Sequence, residues 1–512
     1  MRPVADDPDA AWEPVLDDLG GRRDAARAMG GPERLARQRD GGRLDARARV
    51  AGLVDEGSFR EIGTLVGSEP DATGRSAPSD AFVAGFGAIV GGPVVVGAED
   101  FTVMGGSIGI GSHAKRQRLV ELARRERCPL VLLLDGGGER MQNSLERYPR
   151  APGDLGELVA VSGLVPTVAV VMGPSAGHGA LAAPLADFVV MVEGASLFSA
   201  GPPLVAAATG EQVTVTDLGG TDVHVARSGV AHNRAPDDEA ALALVRRYLG
   251  FFPPNAWARP AWRDSGDTEA RPLGGIVDVV PVEHRHGYDM AEVLGMLVDG
   301  GELLEVQPEW GPSMICGLAR LGGWPVGIVA NQPAVKAGAI DGPAADKAAR
   351  FLEVVGSFHL PVVFVADNPG VLAGTAAEAD GVLRRAARVY AAQARLTSPK
   401  LHVTIRKAYG FGSSLMAMNP FDGQTLTLAL PGVRLGAMPA EGGGRVSRAE
   451  QEEQERLDAA ELAGGYRAAD RLSYDEMIEP AELRNALLDG LRLAEHRLRG
   501  PAEPVARVGI LP

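Results

Sequence analysis

Pro129-Leu130-Val131-Leu132-Leu133-Leu134-Asp135-Gly136-Gly137-Gly138 is an apolar run that stops at an aspartate and three glycines. A run this short, bounded by Pro and Gly, predicts a strand buried on both faces. The figure recurs as Pro361-Val362-Val363-Phe364-Val365-Ala366-Asp367-Asn368-Pro369-Gly370, 232 residues on. The same displacement carries Phe82-Val83-Ala84-Gly85 onto Met314-Ile315-Cys316-Gly317, Pro93 onto Pro325 and Lys115 onto Lys347. At an offset of 233 it continues, from Met172-Gly173-Pro174-Ser175-Ala176-Gly177-His178-Gly179 onto Ile405-Arg406-Lys407-Ala408-Tyr409-Gly410-Phe411-Gly412. A solenoid period would be roughly 20 to 50 residues, so each copy is expected to be a whole domain with its own core.

Each copy runs in one order: a strand pair about a Gly-Gly-Pro or Gly-Trp-Pro turn, a Gly-rich loop, a helix with Lys115 or Lys347, then the buried strand. Strands alternating with helices give an α/β fold class with a parallel sheet. The expected organisation is an N-terminal domain over 1–260, opening with a helical arm over 1–75, and a C-terminal domain over 261–512. The Pro-rich stretch from Phe251 to Gly275 reads as the linker between copies, and the polar tract from Glu441 to about Ala469 as a charged helix on the outside.

The 512 residues carry a formal charge of −15 with basic residues scattered, which argues against a nucleic-acid or anionic-membrane surface. Cys128 and Cys316 lie in unrelated segments, so reduced thiols and a cytoplasmic location are expected. The start of the sequence lacks a signal-peptide hydrophobic region, and the apolar run Leu164 to Met172 is too short to cross a bilayer.

In α/β folds ligands collect at strand carboxyl ends, where the next helix presents unpaired N–H groups. Two loops per copy qualify. They are Asp135 to Arg140 with Asp367 to Gly370, and Gly173 to Ala180 with Lys407 to Ser413. Glycines there let main chain approach a ligand, and helix-start N–H groups can hold an oxyanion.

Residues 40–435 resemble the carboxyltransferase β subunit of biotin-dependent acyl-CoA carboxylases, the propionyl- and acetyl-CoA carboxylase family. The matching segments include Gly42-Arg43-Leu44-Asp45-Ala46-Arg47-Ala48-Arg49, Asp100-Phe101-Thr102-Val103-Met104-Gly105-Gly106-Ser107, Ser228-Gly229-Val230-Ala231-His232, Asn331-Gln332-Pro333 and Arg406-Lys407-Ala408-Tyr409-Gly410. The resemblance implies tandem crotonase-like domains with peripheral helices, the first holding acyl-CoA, a coenzyme A thioester, and the second carboxybiotin. It implies N–H donors for the thioester enolate around Gly177 and His178, and for the biotin ureido oxygen around Phe411 and Gly412. Substrate contacts would fall at Gly137, Gly138, Arg140, Ser107, Ala337, Gly338 and Ser414. No metal is expected. Partners would be a biotin carboxylase or biotin carboxyl carrier subunit and acyl-CoA, with a dimer-based homo-oligomer such as a hexamer whose active site lies between opposing domains of two protomers.

The chain departs from that pattern. The family has Gly-Gly-Ala where this chain has Gly177-His178-Gly179 and Gly410-Phe411-Gly412. His178 can be an acid–base group, or a side chain packed away while its N–H serves; the second reading is preferred. Glu139 replaces a small residue and is expected to pair with Arg140. Alternative functions are an acyl-CoA decarboxylase, transfer to an unusual acceptor in specialised metabolism, a non-catalytic scaffold, and a serine hydrolase through Gly173-Pro174-Ser175-Ala176-Gly177. His284-Arg285-His286 reads as surface rather than metal site.

Overall fold

A computed structural model describes residues 8–69, 74–140, 153–505 and 510. The chain divides into two compact units, Met1–Arg247 and Tyr248–Pro512. Of the expected helical arm, residues 1–7 and 70–73 lie outside the described residues.

The first unit is built on β1 (Arg60–Ile62), β2 (Phe82–Ile89), β3 (Gly92–Glu99), β4 (Leu130–Leu134), β5 (Thr167–Val171), β6 (Pro174–Ala176), β7 (Phe188–Val192), β8 (Ser196–Phe198) and β9 (Asn233–Ala235). Seven of these form one sheet in the order β1-β2-β3-β4-β5-β7-β9, while β6 and β8 pair separately. From β3 onward the sheet is parallel. The central strands Leu-Val-Leu-Leu-Leu, Thr-Val-Ala-Val-Val and Phe-Val-Val-Met-Val are buried at every position, as a sheet covered on both faces requires.

The second unit repeats the plan with β10 (Leu303–Glu305), β11 (Met314–Leu321), β12 (Trp324–Asn331), β13 (Val362–Asn368), β14 (Lys400–Tyr409), β15 (Leu426–Ala429), β16 (Arg434–Gly436) and β17 (Glu476–Met477). Its order is β10-β11-β12-β13-β14-β15-β17, with β16 added beside β14. Both hairpins turn alike, Val90-Gly91 (φ 50° and 76°) matching Gly322-Gly323 (φ 60° and 80°). Two left-handed residues in succession give the turn whose twist suits a two-residue hairpin. The helices expected around Lys115 and Lys347 are Ile110–Glu126 and Gly342–Ser357. Each lysine is buried: Lys115 Nζ donates to the carbonyls of Ser79, at 3.0 Å, and Phe82, and Lys347 Nζ to that of Gln307 at 3.0 Å.

The arm differs from its all-helical expectation. Helices Pro8–Arg27 and Pro32–Asp40 are largely exposed, but Ala46–Leu53 buries Arg49, Val50 and Leu53, and Arg60–Ile62 is the edge strand β1. The tract after Glu441 is helical over Ala440–Ser447, Gln451–Leu462 and Gly464–Asp470, and mostly exposed. Cys128 and Cys316 are free and buried, and burial pushes their thiols up to about 11 and about 12. Among the described residues no helix is long and apolar enough to cross a membrane.

Candidate functional site

Three loops meet in the first unit. The first follows β3 and turns at Met104, Gly105 and Gly106, all left-handed (φ 49°, 65° and 67°). The second is 135–140, and the third leads from β6 into the helix Gly177–Leu185. Backbone hydrogen bonds tie them: Gly137 N–H to Gly105 O at 2.9 Å, Ile108 N–H to Gly138 O at 2.7 Å, Arg140 N–H to Ile108 O at 2.9 Å, and Ala176 N–H to Gly136 O at 3.1 Å. Space between them is small. A Cβ at Gly106 would lie 2.3 Å from Asp135 O, and one at Gly138 2.8 Å from Ala176 O.

The second unit repeats this convergence. Ile340 N–H reaches Gly370 O at 3.1 Å and Leu372 N–H reaches Ile340 O at 2.9 Å. A Cβ at Gly338 would lie 2.5 Å from Asp367 O, and one at Gly412 2.6 Å from Asn368 Oδ1 and 2.9 Å from Gly370 Cα. Here two of the three left-handed residues of the turn are not glycine, Lys336 (φ 49°) and Ala337 (φ 54°), against Met104 alone in the first unit. Such residues cost on the order of 1–3 kcal/mol each and persist where surroundings hold them, commonly at functional sites.

The sequence-predicted residues gather here in two sets. Ser107, Gly137, Gly138, Arg140, Gly177 and His178 belong to the first convergence; Ala337, Gly338, Phe411, Gly412 and Ser414 belong to the second. Gly177 and His178 open a helix, so their N–H groups have no acceptor within it. Phe411 caps the short helix Gly412–Leu415 and is 53% exposed, against a half-buried His178 at the matching place. Gly137, by contrast, commits its N–H to Gly105.

Each central aspartate is held by cations of different origin. Asp135 accepts from Arg43 and from Arg49 Nη1 at 2.7 Å, and Arg49 Nε also reaches Asp238 at 2.8 Å. Asp367 accepts from Arg406 Nε at 2.9 Å, with Lys407 Nζ at 3.5 Å. Arg406 in turn donates to the carbonyls of Glu283 and His286 at 3.0 and 2.8 Å and lies over the Tyr288 ring. These pairs anchor the second loop of each unit to its scaffold.

One expectation is corrected. Arg140 pairs not with Glu139 but with Asp80 Oδ1 at 2.6 Å, and donates to Ser107 Oγ and O at 3.2 and 2.9 Å. Glu139 Oε2 instead lies 2.9 Å from His113 Nε2. Adjacent side chains on an extended loop point apart, so each found a partner on a neighbouring element. Ser175 Oγ is buried with no hydrogen-bond partner among the described residues, whereas a serine nucleophile needs a base within reach.

Sequence reasoning missed a cavity of about 450 Å³ beside Met104 and Gly105, lined by Arg34, Arg37, Arg43 and Phe101. Its arginines come from the arm and its aromatic ring from the loop after β3, so no local motif marks it.

Residues 37–508 match the model of the carboxyl transferase domain. The methylmalonyl-CoA decarboxylase subunit alpha of Veillonella parvula is 36% identical over 474 residues, 91% of this chain and 93% of its own length. The propionyl-CoA carboxylase carboxyltransferase subunit of Haloferax mediterranei is 34% identical over 519 residues, 98% of this chain and 99% of its own. Among solved structures, transcarboxylase 12S, a hexamer assembly with methylmalonyl-coenzyme A and methylmalonic acid bound, superposes with a TM-score of 0.90 at 32% identity, covering 99% of this chain and 100% of that one.

Proposed function

This chain belongs to the carboxyl transferase domain family, and we propose that it moves a carboxyl group between carboxybiotin on a partner carrier and the α carbon of an acyl-CoA. The fold is two crotonase-like units in tandem, and the activity is that of an acyl-CoA carboxyltransferase. The observation that carries the finer reading is the duplicated convergence of three loops, each ending in main-chain N–H donors.

The first unit suits a coenzyme A thioester. Its three-arginine cavity offers charge for phosphates and Phe101 a face for a purine, beside the loop that leads to Gly138 and Gly177. There the N–H groups of Gly177 and His178 would stabilise charge on the thioester oxygen as the α carbon becomes nucleophilic. The second unit suits a small uncharged ring: the N–H groups of Phe411 and Gly412 would face a ureido oxygen, with the Phe411 ring beside them. Carboxybiotin, when bound, supplies the carboxyl group. The close approach of Gly412 to Gly370 and Asn368 leaves no room for a side chain at position 412 itself. A biotin-bearing partner, a homo-oligomer and a cytoplasmic location complete the proposal.

The test is an assay with a biotinylated carrier and mixed acyl-CoAs, read by mass spectrometry. Carboxylated acyl-CoA, or loss of carbon dioxide from one, is the expected product. Tight binding of both ligands with no product in either direction would make the chain a scaffold. Arg37→Ala is expected to raise KM for the acyl-CoA at least several-fold with little change in kcat, because an arginine on a remote phosphate contributes equally to ground and transition states. A fall in kcat alone would remove the cavity from the binding site.

A further inference from the structure

The two units share a fold, so residues present behind one loop and missing behind its twin are not there to make the fold. Around the first unit's third loop stand five ionisable groups, of which Glu99, His113 and Arg116 are buried, His178 is half-buried on the loop itself and Glu139 is exposed. Their counterparts in the second unit are Asn331, Ala345, Ala348, Val371 and Phe411. Every one is uncharged. Burying charges costs several kcal/mol per ion unless they are paired, so a cluster the fold does without calls for another reason.

The pairing is specific. His178 Nε2 lies 2.8 Å from Asp154 Oδ1, on the helix Asp154–Val161. Although burial pushes the Asp154 carboxyl up, the His178 hydrogen bond and the charges of His178, Arg116 and His113 outweigh it and hold the carboxyl below its ordinary value. An ionised Asp154 keeps the proton of neutral His178 on Nε2. Nδ1, the nitrogen nearer the main chain, has no partner among the described residues, and the side chain is 15% exposed. The His113 ring stands edge-on to His178 with centroids 5.9 Å apart, and its own Nε2 contacts Glu139. Arg116 pairs with Glu99, which underlies Gly179.

We propose that His178, oriented by Asp154, is a general base and acid for the carbon next to the thioester in this chain. The inference rests on the reading of the first unit as the thioester side. Neutral His178 takes the α proton through Nδ1; the C–H bond breaks, an N–H bond forms, and the electron pair moves onto the thioester oxygen at the Gly177 and His178 N–H groups. The imidazolium so formed is held by Asp154 and gives its proton back in the reverse step. A base oriented by a carboxylate is the arrangement that activates groups in hydrolytic triads, here aimed at carbon.

The consequence is proton exchange without any carboxyl donor. In D2O, with propionyl-CoA and no biotinylated carrier, the protein is expected to exchange the α hydrogens, read by mass spectrometry. His178→Gln is expected to lower that rate 100-fold or more, the usual range for a positioned acid–base group. Asp154→Ala should lower it less, through kcat with KM for propionyl-CoA unchanged, because Asp154 orients the ring and touches no substrate. A purely structural role would not confine the loss to kcat. Propionyl-CoA binding, followed by calorimetry, controls for misfolding. Exchange at the wild-type rate in His178→Gln overturns the inference, and so does carboxyl transfer by the wild type with no exchange above a protein-free blank. Exchange without carboxyl transfer keeps the dyad and rejects the reading of the preceding subsection.

Discussion

Arg49→Leu is expected to destabilise the first unit by about 3–5 kcal/mol, the largest stability loss among single changes at the anchoring pairs. Arg49 is fully buried, and its guanidinium reaches Asp135, Asp238 and the Met172 carbonyl at 2.7, 2.8 and 3.2 Å. Burial by itself disfavours its charge, but the two carboxylates more than restore it. The pair is therefore not a gain that leucine merely forgoes. Removing the cation leaves two carboxylates buried, with Asp135 retaining only Arg43 and Asp238 losing its guanidinium. For a unit this size the loss corresponds to roughly 6–20 °C in the melting temperature of its transition. Activity should fall with it, since Asp135 heads the loop that carries Gly137, Gly138 and Arg140. Calorimetry of the purified variant checks this. A shift below about 2 °C would mean that Arg43 and water can satisfy Asp135 unaided.

The repeat made the architecture legible because duplication preserves what the backbone must do. Turn residues, the buried lysines and the Asp-Gly strand ends recur at a fixed offset, and the two sheets have the same strand order. What diverged was illegible for the same reason. Asp135 and Asp367 are counterparts, yet one is held by arginines from the arm and the other by an arginine on the neighbouring strand β14, so the offset could find the aspartates but not their partners. Glu139 and Arg140 are neighbours in sequence and invite a pairing, but each turned to a partner supplied by another element, His113 and Asp80. His178 stood out as an irregular residue in a glycine motif. Its partner Asp154 did not, because an aspartate at the first turn of a helix is ordinary helix chemistry. Likewise three arginines of the exposed arm look like a solvated face until the loop after β3 closes a cavity against them.

Gly412→Ala and Gly138→Ala should separate the two halves of the reaction. At Gly412 the backbone is open to alanine, but a Cβ would come within 2.6 Å of Asn368 Oδ1, which is buried and already accepts from Gly370 N–H at 3.0 Å. Asn368 cannot yield without releasing that loop, so the third loop must move instead and carry the Phe411 and Gly412 donors off their line. Loss of one such donor costs about 2.7–4 kcal/mol of transition-state stabilisation, a fall of 10²–10³ in kcat. Because these donors belong to the second unit, KM for the acyl-CoA should stay within about twofold. Gly138→Ala strains a left-handed position (φ 82°) and places a methyl 2.8 Å from Ala176 O, so it displaces Gly177 and His178 in the first unit. Transfer should fall comparably, now with weaker acyl-CoA binding. The decisive comparison is the half-reaction that consumes carboxybiotin without acyl-CoA. Gly138→Ala should leave its rate near wild type, and Gly412→Ala should abolish it. If both variants slow that half-reaction equally, the loops do not divide the labour between them, and the duplicated site serves one ligand rather than two.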